Sequence, residues 1–232
     1  MVNIDTVYQK VLALANKEQR GYVTPQEFDL FADQAQKEIL EQYFYDINQF
    51  GRAPGNDTEY SDMLNLLEEK LSILEVRMTN QVVTGGIFDY QTLVPPVYRI
   101  GSIMVEDGME IEEVNNNEYY NMRSAPLTQP NLARPIYVNR TDGLNIYPET
   151  ITAIDISYIR VPERPQWGYV IVNEKALFDP NPIKTTNFEL HPTEENELIY
   201  KILKFAGITL EKQELAGMGQ EMETAKVSQE KQ

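Results

Sequence analysis

The residues that could carry chemistry in this chain are few and form no recognisable catalytic set. The one histidine, His191, precedes Pro192, and none of the six serines lies in a GxSxG elbow. A single histidine at such a junction is typical of a hydrogen bond to the backbone. Gly85-Gly86 is not followed by lysine, so no phosphate-binding loop is indicated. We therefore predict no catalytic residue and no enzyme activity.

Carboxylates are plentiful, so two-carboxylate glycosidase chemistry stays open at the level of sequence. Glu110, Glu112 and Glu113, however, would alternate between the two faces of one hairpin strand, which is typical of solvated edge charges. Cysteine is absent, and this excludes disulfides, thiolate-bound zinc and cysteine catalysis.

A run that resembles a calcium loop, NKEQRGYVTPQEF, starts at Asn16. Gly21 falls at loop position 6 and Glu27 at position 12, as an EF-hand requires. Arg20 occupies position 5, where an oxygen ligand belongs, and the loop has no second copy. We predict no metal and no cofactor. A calcium-responsive cellular binding module nevertheless stays open as an alternative function.

The charge is acidic along the whole chain. The 36 Asp and Glu against 20 Lys and Arg give a net charge of −16, spread as −7, −6 and −3 over 1–84, 85–192 and 193–232. Such a surface disfavours tight binding to nucleic acid, because like charges repel. No apolar run approaches the roughly 20 residues of a membrane span, and the start lacks the features of a leader. We expect a soluble intracellular protein that binds no membrane.

Helical spacing of apolar residues marks both ends of the chain. It predicts helices over 4–16 and 25–50, and a 4-3-4-3-4 spacing predicts the most regular helix over 59–79. Towards the C-terminus, one helix is predicted from 193 and another over 210–228.

Two of these helices have predicted boundaries. Thr24 can cap the second helix, Pro25 suits its first position, and Glu27 completes a capping box. Near the C-terminus, Thr193 is predicted as the N-cap and Gly207 as the helix end.

Between 85 and 190 the apolar period shortens to two. Two hairpins are predicted, one around Asp107-Gly108 and one around Thr141-Asp142-Gly143, because glycine tolerates the positive φ of such turns. The polar stretch NNNEYYNMR between them predicts a single helical turn.

The segment ITAIDISYIR alternates cleanly and places Ile154, Ile156 and Tyr158 on one face. With the two strands of the second hairpin it predicts an antiparallel meander. Pro162 and Pro165 then interrupt regular structure.

The predicted fold class is α+β. N- and C-terminal helices form a bundle (1–84 and 191–232), and an antiparallel β-domain (85–190) is inserted between them.

Three segments of the chain resemble structural proteins of short-tailed bacteriophages. RPIYVNRTDGLNIYPETITAIDISYIRVPERPQWGY resembles their strand–turn–strand pattern, in which one strand ends in Tyr-Pro and the next in Tyr-Ile-Arg-x-Pro. FELHPTEENELIYKILKFAGITLEKQEL resembles the closing helix pair of adaptor proteins of the tail tubular A type. The opening NKEQRGYVTPQEFDLFADQAQKEILEQYF resembles ring proteins of crAss-like and marine podoviruses.

The resemblance implies a structural virion protein of the head-to-tail connector, in a ring of about twelve copies below the portal and around the DNA exit channel. Its expected partners are copies of itself, the portal protein and adjacent connector or tail proteins, with genomic DNA passing without tight binding. Assembly in the host cytoplasm and a place at the head–tail junction of the virion follow. Another tail or collar ring or hub protein is the alternative within this class.

Contacts between subunits or rings are expected at the two hairpin turns and in the arginine-rich middle segment, since arginine suits interfaces. A preference of arginine for strands would explain the same enrichment. The candidate contact residues are Asp107, Gly108, Asp142, Gly143, Arg134, Arg140, Arg160 and Arg164.

Overall fold

A computed structural model describes residues 1–17, 23–52, 58–105, 108–181 and 183–209 of the chain. They form an α+β fold, as predicted. The chain divides into two compact units: Met1–Ile73 with Pro162–Gln232, and Leu74–Val161. The helix predicted over 210–228 lies outside the described residues.

The helices, in chain order, are α1 (Ile4–Lys17), α2 (Pro25–Arg52), α3 (Thr58–Leu71), α4 (Asn116–Ser124) and α5 (Glu195–Thr209). The strands are β1 (Glu75–Val82), β2 (Ile87–Phe88), β3 (Val97–Val105), β4 (Glu112–Glu113), β5 (Ile136–Arg140), β6 (Gly143–Tyr147), β7 (Ala153–Arg160), β8 (Tyr169–Val172) and β9 (Lys175–Phe178).

In the first unit, α5 packs against α1 and α2, and α3 packs against α2. These contacts bring the N-terminal helices and α5 together. The start of α2 is the predicted capping box. The backbone N–H of Thr24 donates to Glu27 Oε2 at 3.0 Å, and the Glu27 N–H donates to Thr24 Oγ1 at 3.3 Å.

The segment that returns to the first unit is tied to α1 and α2 by buried polar groups. Gln36, fully buried in α2, donates to the Glu163 carbonyl at 2.9 Å and accepts from the Glu189 N–H at 3.0 Å. The Trp167 indole donates to Asp5 Oδ1 at 2.9 Å, and its backbone N–H donates to Asp29 Oδ1 at 2.8 Å. The Trp167 bonds hold the chain just before β8 begins at Tyr169.

The helix predicted over 59–79 is too long. Helix α3 ends at Leu71, a 3₁₀ turn follows, and β1 begins at Glu75. Met78, which fits the helical spacing, pairs instead with Ile156 of β7. Pairing with β7 satisfies the backbone of this segment in a sheet, so tertiary context overrides the local helical pattern.

The second unit contains two sheets. One is antiparallel, in the order β1-β7-β3, and the other has the order β2-β6-β5-β4. Strand β4 runs parallel to β5, so the predicted β-domain is not wholly antiparallel.

One core joins the two sheets of the second unit. Ile154, Ile156 and Tyr158 of β7 are buried on one face, as the alternation predicts, and pack in one cluster with Leu144 and Ile146 of β6. On the other face of the four-stranded sheet, α4 covers Ile136 and Val138, through Tyr119.

The predicted meander is wrong. Strands β5 and β6 form the predicted hairpin, but β7 lies between β1 and β3 in the other sheet. Both edges of β7 are thereby occupied, and β6 pairs with β2 instead. Because β1 pairs with β7, the unit boundaries lie at 73/74 and 161/162 rather than at the predicted 84/85 and 190/191.

Two details at the ends of α5 also differ from expectation. A 3₁₀ helix, Pro192–Glu194, precedes α5, and its N-cap is His191 rather than Thr193: His191 Nδ1 accepts from the Thr193 N–H at 3.4 Å. The backbone role predicted for the lone histidine is therefore confirmed. Gly207 lies inside α5, which continues to Thr209. The single helical turn predicted for NNNEYYNMR is the nine-residue α4.

Among the described residues, no helix has both the length and the apolar character needed to cross a membrane.

Candidate interaction site

Arg140 is placed by the alternation of β5. Ile136, Val138 and Arg140 share the face of β5 that looks towards α4, and the first two are buried beneath that helix. Arg140 ends the strand just before the turn, so its guanidinium reaches the rim of the sheet.

Neutral groups hold this guanidinium. Its Nη2 donates to Asn116 Oδ1 at 3.2 Å, and its Nη1 donates to Asn145 Oδ1 at 3.4 Å. The Tyr119 ring lies 5.7 Å from the guanidinium carbon, within the range of a cation–π contact. Within the described ranges, Arg140 forms no ion pair with a carboxylate. It is therefore oriented without being neutralised.

Two stacked tyrosines lie next to Arg140. The Tyr119 and Tyr147 rings are 4.4 Å apart and nearly parallel. Burial, with a contribution from Tyr119, raises the pKa of Tyr147, whereas Arg140 acts in the opposite direction. Tyr147 thus stays neutral at physiological pH. The stacked rings pack beside Arg140 and restrict its movement.

The turn after Arg140 contains Asp142 and Gly143, and its backbone conformation depends on the glycine. Gly143 has φ +126°, and a Cβ there would lie 2.5 Å from the Phe88 carbonyl oxygen. Asp142 is exposed, and its Oδ1 accepts from Asn145 Nδ2 at 3.0 Å. Of these two predicted contact residues, Gly143 is buried in the turn and Asp142 is exposed to solvent.

Arg140 and Asp142 line an open pocket of about 870 Å³. The other lining residues are polar, mostly amides and hydroxyls: Tyr90, Gln91, Asn116, Asn139 and Thr141. The lining includes no histidine, serine or cysteine. Such a pocket can accept a peptide segment through hydrogen bonds and one charge of each sign.

The remaining predicted contact residues lie elsewhere. Arg134 forms an exposed ion pair with Glu112 at 3.4 Å. Arg160 ends β7 and is half-buried, and Arg164 lies in the first unit, where its charge acts on Asp29. Gly108 is exposed at a turn with φ +82°, and Asp107 lies outside the described residues.

Sequence analysis missed the β8–β9 hairpin. Its exposed apolar side chains are Val170 (40% exposed), Ile171 (72%), Val172 (47%) and Leu177 (50%). The two strands form a sheet of their own, and their outer edges have no strand partner in the described part of the chain. An exposed apolar surface with free strand edges is typical of an interaction site.

The base of this hairpin is firmly anchored. The Trp167 ring lies 5.8 Å from Tyr169 and 5.9 Å from Phe178. The Asp179 N–H donates to the Gly168 carbonyl at 2.9 Å. The signal in the sequence was YVIV and KALF flanking Asn173-Glu174, but Pro162 and Pro165 just before it argued for irregular structure.

The calcium-loop resemblance has an alternative explanation in the structure. Glu27, the residue at loop position 12, is engaged in the capping box with Thr24, and these hydrogen bonds lower the pKa of its carboxyl. Residues 18–22 of the loop lie outside the described residues. Across the described ranges, no group of three His, Asp or Glu side chains is arranged to hold a metal ion.

The chain was also compared with known proteins. No protein-family model matches it, and no curated protein matches it.

Proposed function

We propose that this chain is a structural virion protein that forms a head-to-tail connector ring beneath the portal, around the DNA exit channel. The observation that carries the proposal is the anchored β8–β9 hairpin, which exposes Ile171 and its apolar neighbours and whose outer edges pair with no other strand of the described residues. A protein that works by self-association needs such a surface, because burying it against another copy removes apolar area from water.

The acidic surface supports the same role. A net charge of −16 disfavours retention of DNA phosphates, so a genome can slide past a ring built from this chain. The polar pocket beside Arg140 supports it too, since it offers a second surface for a neighbouring subunit.

Changing Ile171 to Asp tests the proposal. The side chain is 72% exposed, so the fold tolerates the change, while a charge buried between copies does not. We expect self-association, measured by sedimentation velocity and by images of rings in negative stain, to weaken about tenfold or more.

Leu132→Asp is the matched control, because Leu132 is also an exposed aliphatic side chain (64%) but lies outside the hairpin. Equal behaviour of both variants and the unchanged chain would contradict the role of the hairpin. Averaged images of virus particles test the location directly, and particles that lack this chain at the portal vertex would overturn the connector assignment.

A further inference from the structure

We propose that the β8–β9 tip of one copy docks in the Arg140 pocket of the next copy, with Glu174 facing Arg140 and Lys175 facing Asp142. The inference rests on the proposed function, because it takes for granted that copies of this chain associate. Beyond that function, the inference specifies which segment of the neighbouring copy binds and which charged residues recognise it.

The tip carries a side chain that its backbone disfavours. The turn residues Asn173 and Glu174 have φ of 48° and 62°. Two-residue hairpin turns of this kind strongly prefer glycine at the second position, where the left-handed conformation strains a glutamate. Glu174 is exposed, and its carboxylate forms no hydrogen bond or ion pair within the described residues. A glutamate in a glycine position is explained if the carboxylate binds outside its own copy.

The pocket offers the complementary groups. Arg140 is held by two amide oxygens and by the Tyr119 ring, and it has no carboxylate partner among the described residues. An oriented guanidinium of this kind suits a carboxylate, because its fixed fork loses little freedom on binding.

Charge order sets the direction of the contact. Arg140 and Asp142 give the pocket one cation and one anion, and Glu174 and Lys175 give the tip one of each. A purely acidic segment would be repelled by Asp142, and a purely basic one by Arg140. The tip satisfies both charges in one orientation.

A protrusion and a pocket on the same chain make a head-to-tail contact. Such a heterologous contact repeats from copy to copy and closes into a ring when the rotation permits. This geometry is what a connector ring requires, whereas a two-fold dimer would use one patch twice.

Cysteine pairing gives the most direct test, because the chain has no cysteine of its own. Two variants, Asn173→Cys and Thr141→Cys, keep both charged pairs and are purified separately and mixed under mild oxidation, so that any disulfide joins two copies. We expect this pair to cross-link about tenfold faster than Asn173→Cys with Ser124→Cys, since docking raises the local concentration. Ser124 is exposed at the far end of α4 from Asn116. Cross-linking at the control rate overturns the inference.

Charge exchange supplies an independent test. Arg140→Glu and Glu174→Arg should each weaken self-association about tenfold, and the two together in one chain should restore it. Arg134→Glu, the matched control, should have no effect. Self-association that is unchanged by either single variant overturns the inference. So does a pocket variant that loses binding to duplex DNA while it associates normally, since that result assigns Arg140 to phosphate.

Glu174→Gly separates function from structure. Glycine relieves the turn, so the melting temperature should rise, while loss of the carboxylate should weaken association about tenfold. A rise in stability without weaker association overturns the role of Glu174. If the charge variants still form rings in normal yield, the pocket contact is refuted but the proposed connector role is not. If the chain is absent from virus particles, the connector role is refuted, and the cross-linking experiment alone decides whether the tip docks in the pocket.

Discussion

Asp29 shows how one residue couples the fold of the first unit to pH. Its carboxylate accepts the Trp167 N–H at 2.8 Å, yet burial raises its pKa to about 6, against the effects of that hydrogen bond and of Arg164. Between pH 4 and 6 the folded chain therefore keeps a proton that the unfolded chain releases. The free energy of unfolding contributed by this group falls as the pH rises through that window and does not recover above it.

We therefore predict that Asp29→Asn stabilises the chain at pH 7 and not at pH 4. The amide keeps an oxygen that accepts from Trp167 and removes the buried charge. The gain at pH 7 should be about 1 kcal/mol after allowance for solvent screening, measured by urea unfolding at both pH values. Glu41→Gln, exposed on the same helix, should show no such difference. An equal effect of Asp29→Asn at both pH values would refute the argument.

The turns of the second unit illustrate the scale of the element. Gly143 and Gly108 both have positive φ, and both were predicted from their Asp-Gly signals. Their surroundings differ: a Cβ at Gly143 would meet the backbone of Phe88 at 2.5 Å, whereas a Cβ at Gly108 would meet nothing within 4 Å. The sequence signal is the same, and only the packing of β2 against the turn separates them.

Alanine at these two positions should therefore differ in cost. Gly108→Ala should lose about 1 kcal/mol of stability from the left-handed conformation alone. Gly143→Ala should lose roughly 2–3 kcal/mol, because the turn or β2 must also move. Thermal unfolding of the two variants measures the difference. Equal losses would mean that β2 yields to the added methyl group at little cost.

At the scale of the whole molecule, charge is the dominant property. A net charge of −16 and a pI near 4.5 make the chain a poor ligand for a polyanion at neutral pH. Arg140 and the other candidate arginines are scattered, and Arg134 is paired with Glu112.

Duplex DNA should therefore bind this chain more weakly than a Kd of about 10⁻⁴ M at physiological salt, the weak limit of ordinary non-specific binding. Fluorescence anisotropy with a labelled duplex measures this. A basic protein of similar size provides the positive control. Tight binding that weakens steeply with added salt would contradict the sliding role and point to a nucleic-acid interface.

The sequence by itself determined features that depend on neighbouring residues. The Thr24–Glu27 capping box, the β5–β6 hairpin and the buried face of Ile154, Ile156 and Tyr158 were all predicted. Each arises from hydrogen bonds or side-chain alternation within a few positions, so local pattern is enough. The α+β class follows from the sum of such segments.

Only the tertiary structure decided which strands pair and which side chains meet. Met78 lies in a strand because it pairs with Ile156 of β7, which is 78 residues further along the chain. The pocket unites Tyr90, Asn116 and Arg140 from three separate segments. The tip at Glu174 stands exposed because Trp167 anchors its base. Such contacts join residues far apart in sequence, and their energies depend on burial and partners that no local pattern contains.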